Sequence, residues 1–569
     1  MRNVMHHRSR TFLSHLLALG SLAFPLLLMG QALPVEQILL HSDRDLYLSG
    51  EQIWFKGYAV DGESPAAAMS TVLYVELHSA AKQSLARGKY RLQDGQAQGS
   101  IDIPATLPSG VYYLRAYTRY LRNAGPAAFV YLPIRIVNPE TGLPAQERPA
   151  PQTSPAASVA PLPIRVQTDR AAYAPGEALT IRLESGAPTD FSAAELSLSV
   201  VKKGTHSLPH SGFSPVWTPP AAVSLAWLPE TRDLAIAGQL RDKATGKAIG
   251  DVACWVTVMD GTPQVHHFRS EADGAFFFSL NEVSGKATVA LTTAPQAGVE
   301  AEWLIQQDYA AEYPELPSLA LGLDSSDRAL LESLLTGAQV AARFPGPPGD
   351  TLAPVALPLN LEAAPTVRLL RDFVEIPNLK EVFQEIVTGV QVRQRQGKTA
   401  LSVFDEQSQF TYDDPLILLD NLPVFDVDAL LGILPERVAR IEVFPRRYVL
   451  GDLLIGGMVR VYTVQGDLGG MAPPAQTAFL RYDGLNPAVS FPPGKYTAAG
   501  ASASTAVARS SRWPDFRSTL CWLPDVRLSQ AGTTLTCFAG DAVSEYEVVV
   551  QGTTAEGARC EGRAVFWVR

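Results

Sequence analysis

Chemistry in this chain would have to come from few side chains. Asp426 and Asp428, like Asp413-Asp414, place carboxylates close together, and two carboxylates on one loop face can hold a hard cation. The competing reading is helix capping and turn formation, which the same residue types perform. Arg446-Arg447-Tyr448 offers guanidinium forks for an anionic ligand, or else forms a solvated loop. Arg446, Arg447, Tyr448, Asp426 and Asp428 are therefore the candidate partner or ligand contacts. Tyr47, Trp54, Phe55, Tyr58, Tyr112, Tyr113, Tyr117 and Tyr120 supply rings for a sugar- or peptide-binding face, or for a sandwich core.

Cys254, Cys521, Cys537 and Cys560 show no C-x-x-C spacing, which removes the common zinc and redox motifs. In an exported chain disulfides persist. Cys537–Cys560, on adjacent strands, is the preferred pair among those open to four thiols, with buried unpaired thiols as the alternative. Adjacent His266 and His267 point to opposite faces of a strand and read as surface polar residues rather than metal ligands. There is no Gly-x-Ser-x-Gly elbow, phosphate-binding glycine loop, His-Glu-x-x-His or dinucleotide fingerprint. No catalytic residue, cofactor or metal ligand is assigned, and a non-enzymatic protein is expected.

The 569 residues carry a net charge of −10, with 46% hydrophobic and 18% charged residues. Several folded domains fit that composition, and the acidic balance without a basic run past residue 10 excludes a nucleic-acid partner. Arg2, His6, His7, Arg8 and Arg10 precede an apolar stretch from Phe12 to Met29, then Gly30-Gln31-Ala32. That pattern predicts a signal peptide over residues 1–32, with an uncleaved anchor as the competitor. No integral span is expected after cleavage, since no later apolar run is long enough.

The elements that must position these residues are mostly strands. Glu51 to Tyr58, Val72 to His78, Ser100 to Ile103 and Val111 to Tyr117 are aromatic, β-branched or alternating, which predicts a sandwich over 33–138. In Val111–Tyr117, Val111, Tyr113 and Arg115 share one face, and Tyr112, Leu114 and Ala116 the other. Ser42-Asp43-Arg44, Tyr47 and Gly50-Glu51 recur as Thr168-Asp169-Arg170, Tyr173 and Gly176-Glu177, an offset of 126 residues. A Pro-rich linker (139–162) separates the first sandwich from a second at 163–231. A smaller β unit follows at 232–293, then a connecting segment with a helix over Ser325–Arg343 (294–370). An α+β unit occupies 371–470, a mobile Ala/Ser/Pro-rich linker 471–511, and a C-terminal sandwich portion 512–569. The fold class is mostly β: serial β-sandwich domains plus one small α+β domain.

Within the α+β unit, Leu416–Leu419 reads as a buried strand closed by Asp420-Asn421. A helix from Asp426 to Leu434 follows, then strands Arg440–Phe444 and Met458–Thr463 joined by a loop. The run Pro415-Leu416-Ile417-Leu418-Leu419-Asp420, Asn421-Leu422-Pro423-Val424, Pro435 to Val443, and Tyr448 to Tyr462 with Gly451, Gly456 and Gly457 resembles the plug domain of TonB-dependent outer-membrane receptors. Such a receptor encloses its plug in roughly 22 strands, on the order of 220 residues. Only 98 residues follow Met471, so a plug-like unit without a barrel is expected.

The repeat, with Leu107-Pro108-Ser109-Gly110-Val111-Tyr112, resembles macroglobulin-type domains. That family's thioester motif is absent, so the resemblance implies no covalent trapping. Ala237 to Leu240, Ala244 to Lys247, Val252 to Val258 and Ala272 to Phe276 resemble the carboxypeptidase regulatory-like domain, which implies a spacer or interaction role. Together these resemblances imply an exported protein, periplasmic or outer-membrane associated. It would dock to, or present ligand to, an outer-membrane β-barrel or other envelope protein. The alternative is a thioester-free macroglobulin-like protein that engages proteases non-covalently.

Overall fold

The computed structural model describes residues 36–569 except 62–68, 142–160, 187–193, 207–210, 214–224, 261–263, 324–326, 347, 352–365, 374–375, 396, 452, 497–513 and 555. The expected signal peptide, most of the Pro-rich linker and the start of the expected helix at Ser325 lie outside the described residues. Among them no helix is long and apolar enough to cross a membrane. The protein is mostly β: three sandwiches and an α+β unit.

In the first sandwich Gln52–Asp61 lies between Glu36–Ser42 and Gln96–Asp102, with Ser211–Phe213 outside Glu36–Ser42. The facing sheet runs Leu46–Leu48, Val130–Val137, Gly110–Tyr117, Val72–Ser79, Ser84–Arg91. Tyr112, Leu114 and Ala116 enter the core, as their alternation requires. The opposite face is covered too, by residues 306–317. Arg115, fully buried, donates to Glu76 through Nε (3.0 Å) and NH2 (2.7 Å), and to the carbonyls of Ala310 (2.6 Å) and Glu312 (3.0 Å). Tyr113 donates to the Pro317 carbonyl. A buried guanidinium is stable here because a carboxylate and two carbonyls saturate it.

The second sandwich is assembled from two distant stretches. Its eight-stranded sheet follows the order Thr519–Arg527, Glu195–Lys202, Ser544–Thr553, Arg559–Val568, Leu162–Thr168, Ala178–Ser185, Thr533–Phe538, with Ala172–Tyr173 on Arg559–Val568. Leu179, Leu198 and Val200 share one core with Tyr546, Val548 and Phe566. The stretches 163–231 and 512–569, read apart in the sequence, thus complete each other through Glu195–Lys202, and Ser211–Phe213 belongs to the first sandwich instead.

The third sandwich pairs a sheet of Ala275–Ser279, Ala235–Asp242 and Ala301–Ile305 with one of Gln264–Arg269, Ala253–Val258, Lys286–Thr293 and Thr477–Asp483. Thr477–Asp483 falls in the stretch expected to be a mobile linker. Its backbone instead pairs with Lys286–Thr293, from Lys286↔Asp483 to Thr292↔Thr477, and Tyr482 is buried in the core shared with the first sandwich. Composition alone hid a strand whose partner lies far back in the chain. His266 and His267 are not surface residues: His267 is 3% exposed against Trp255, and His266 packs on Phe278.

Between Ile305 and Thr477 the chain makes an excursion. Helix Arg328–Arg343 seats Leu331 and Leu334 on Leu46, Leu48 and Val137 of the first sandwich. The α+β unit then carries a five-stranded sheet ordered Thr366–Leu369, Val438–Leu450, Leu453–Thr463, Leu416–Leu419, Leu422–Pro423, and a three-stranded one of Val390–Arg395, Lys398–Asp405 and Phe410–Tyr412. The expected loop between Phe444 and Met458 is mostly strand: Val438–Leu450 and Leu453–Thr463 form one long hairpin.

Candidate binding surfaces

The five residues singled out for ligand contact are held separately. Asp426 is the N-cap of helix Val427–Leu431, accepting from the Ala429 amide at 3.1 Å. Asp428 accepts from the Thr399 hydroxyl. Both acids therefore have local structural work. Arg446 and Arg447 are exposed on the long hairpin, next to a bulge between Phe444 and Arg447, and the Arg447 guanidinium lies 5.8 Å from the Tyr412 ring centre. Tyr448 packs edge-on to Phe444, 5.8 Å between centres.

That hairpin is anchored at its tip. Gly451 turns with φ +64°, and a Cβ there would sit 2.1 Å from the His267 carbonyl oxygen. Leu450 and Leu453 join Val265 of the third sandwich in a small apolar cluster with Phe444 and Met458. Arg446-Arg447-Tyr448 is thus part of a docked hairpin rather than a free loop. The bulge leaves the arginines outward while Tyr448 packs inward.

Residue patterns did not reveal a groove of about 990 Å³ on the same unit, lined by Leu370, Phe373, Ile376, Ile386, Leu434 and Val464 among others. Phe373, Leu434 and Val464 are 43%, 53% and 63% exposed. Apolar side chains this open, side by side, mark a contact surface more than isolated ones do. Arg371 on the rim has 81% of its side chain exposed. Alongside, Thr366–Leu369 ends the five-stranded sheet, paired only with Val438–Leu450 among the described residues. The only sequence signals were apolar residues beside Pro377 and Pro435, which also suit ordinary turns.

A second cavity, about 500 Å³, lies between the first and second sandwiches. Trp54 lines it from one side, Trp522 and Phe538 from the other, and Phe491 and Tyr496 cross it on the chain from 489 to 496. Trp54 meets Phe491 edge-on at 5.3 Å. Arg517 grips Asp515 at 2.8 and 3.1 Å, and Tyr496 donates to Asp541 at 2.6 Å. Of the eight aromatic residues noted in the sequence, Trp54 alone lines this cavity; Tyr47, Phe55, Tyr58, Tyr74, Tyr117 and Tyr120 are fully buried, Tyr74 being a further core ring.

The thiols are placed differently from the expected pairing. All four are free. Cys560 sits on Arg559–Val568, and Leu162–Thr168 and Ala178–Ser185 separate that strand from the one bearing Cys537. Cys537 instead neighbours Cys521: Cys521 packs on the cluster that holds Cys537, and both line the aromatic cavity. That contact and burial together hold the Cys537 thiol well above its usual pKa.

Comparison with solved structures returns bacterial alpha-2-macroglobulins. Trypsin-activated alpha-2-macroglobulin from Escherichia coli is 9% identical, covering 94% of this chain and 41% of its own, with a TM-score of 0.23. The Salmonella protein reacted with methylamine is 12% identical over 95% of this chain and 40% of its own, with a TM-score of 0.22. The Yersinia pseudotuberculosis adhesin InvE is 12% identical over 47% of this chain and 57% of its own, with a TM-score of 0.13. This chain spans about two fifths of the length of the macroglobulins it resembles. No family model and no curated protein matches it. At such TM-scores the likeness carries no argument about activity, and function must be argued from the surfaces just described.

Proposed function

We propose that this protein is a non-enzymatic binding or scaffold protein of the bacterial envelope, exported by its N-terminal signal, which docks to or presents ligand to an outer-membrane partner. The observation that supports this is the open apolar groove beside the outer edge of Thr366–Leu369, which no strand pairs among the described residues. Its occupant is an extended apolar segment of an outer-membrane β-barrel protein. Main-chain bonds to the edge strand give register, and apolar side chains fill the groove. Of the cations lining the groove, Arg371 lies 3.7 Å from Asp372 and Arg440 2.8 Å from Glu442, so both are already paired and recognition rests on the apolar side chains. The plug-like motifs from Asp413 to Asp467 and the macroglobulin-like and regulatory-like motifs agree with an envelope setting.

The test is site-specific photo-crosslinking from position 434 in intact cells, read by mass spectrometry of membrane fractions. The expected result is a linked β-barrel protein, lost when Phe373→Asp is also present. Recovery of no outer-membrane protein overturns the reading. Recovery of proteases, with cleavage between 139 and 163 or between 472 and 511, supports the non-covalent macroglobulin-like alternative instead.

A further inference from the structure

The end strands of the eight-stranded sheet, Thr519–Arg527 and Thr533–Phe538, follow one another in the chain through a turn at Gly532 (φ +82°). No ladder joins them: the first pairs with Glu195–Lys202 and the second with Ala178–Ser185. They nevertheless pack against each other, forming a seam along which the curled sheet closes without backbone bonds. At that seam Cys521 packs against the apolar cluster that contains Cys537. Both line the cavity shared with the first sandwich, Cys521 half-buried and Cys537 3% exposed. Cys254 lies in the core of the third sandwich, and Cys560 points toward the Ala558 carbonyl at 3.7 Å, so neither competes for Cys537.

We propose that Cys521 and Cys537 are a disulfide site that closes this seam covalently. Cys521, the more accessible from the cavity, attacks a low-molecular-weight or protein disulfide as its thiolate, displacing one thiolate and leaving a mixed disulfide on Cys521. The Cys537 thiolate then attacks the Cys521 sulfur, the intramolecular S–S bond forms and the second thiolate leaves. Two electrons pass to the oxidant disulfide, and the two cysteine protons end on the released thiols. A ring closed between residues 521 and 537 restricts the unfolded chain and ties together two packed strands of the sheet that no ladder joins. It also fixes the wall holding Trp522, and so the shape of the cavity.

The test uses the full mature protein equilibrated with glutathione buffers from reducing to oxidising, quenched with N-ethylmaleimide under denaturing conditions and mapped by mass spectrometry without reduction. The expected result is a cross-linked peptide joining Cys521 to Cys537, with Cys254 and Cys560 alkylated. The oxidised protein should melt several degrees above the reduced one. Cys521→Ser should remove the cross-link and leave Cys537 alkylated. Alkylation of both thiols in the oxidising buffer, or a link from Cys537 to Cys560, overturns the proposal, and the wild-type map decides this even where the variant does not fold.

Discussion

The Tyr173 hydroxyl donates a 2.7 Å hydrogen bond to the Asp169 carboxylate, and 126 residues earlier the Tyr47 hydroxyl donates to Asp43 over the same distance. Each aspartate also accepts a backbone amide from the next long strand, Thr180 at 2.9 Å and Trp54 at 3.0 Å. Glu177 and Glu51 accept the amides of Ala174 and Leu48, and pair with Arg170 and Arg44. Gly176 and Gly50 make the turn with φ of +78° and +86°. The repeated motif is therefore a side-chain staple that starts each sandwich, not a ligand site. Its two copies differ in setting: Tyr47 and Asp43 are fully buried, whereas Arg170, Asp169 and Glu177 are open to solvent.

That difference predicts unequal costs. Tyr47→Phe leaves the buried Asp43 carboxylate short of a donor and should cost about 2–3 kcal/mol, whereas Tyr173→Phe should cost about 1 kcal/mol or less. Urea denaturation of the two variants measures both.

Arg115 ties the first sandwich to residues 306–317. Arg115→Met leaves Glu76, 1% exposed, with Tyr117 and without its cation, at a cost of about 3–5 kcal/mol. Hydrogen exchange should rise first at residues 306–317, before the strands themselves exchange faster.

Glu230 is fully buried, accepting from Tyr74 at 2.9 Å and from the Ala235 amide at 2.9 Å, and burial raises its pKa from 4.5 to about 7. The folded protein therefore holds a proton that the unfolded chain has released. Stability should be full below about pH 4.5 and fall as pH rises to 7, by about 3 kcal/mol at most. Thermal melts between pH 4.5 and 8 should show this slope, and Glu230→Gln should flatten it.

Gly451→Ala places a methyl against the His267 carbonyl at a positive φ. It should cost about 1–3 kcal/mol and lift the hairpin from the third sandwich. Faster amide exchange confined to residues 446–456 is the expected signature.

The candidate residues were legible where their work is local. Asp426 caps the helix that starts at the next residue by accepting the amide three positions ahead, and Gly50 and Gly176 turn beside their tyrosines, because such bonds span only a few positions. The groove at Leu434 and the Cys521–Cys537 contact were not legible. Each needs strands that meet only after the sheets assemble, and an apolar residue beside a proline looks the same whether its neighbour is core or solvent.

By itself the sequence determined that the chain is mostly β, where many strands run, and which side of Gly110–Tyr117 enters the core, since alternation at period two is a local property. Only the tertiary structure decided that Glu195–Lys202 pairs with strands more than three hundred residues later, that Thr477–Asp483 completes the third sandwich, and that Arg115 is buried beneath a returning segment. Strand pairing joins any two compatible edges, and which edges meet depends on the burial of the whole chain rather than on the residues along either strand.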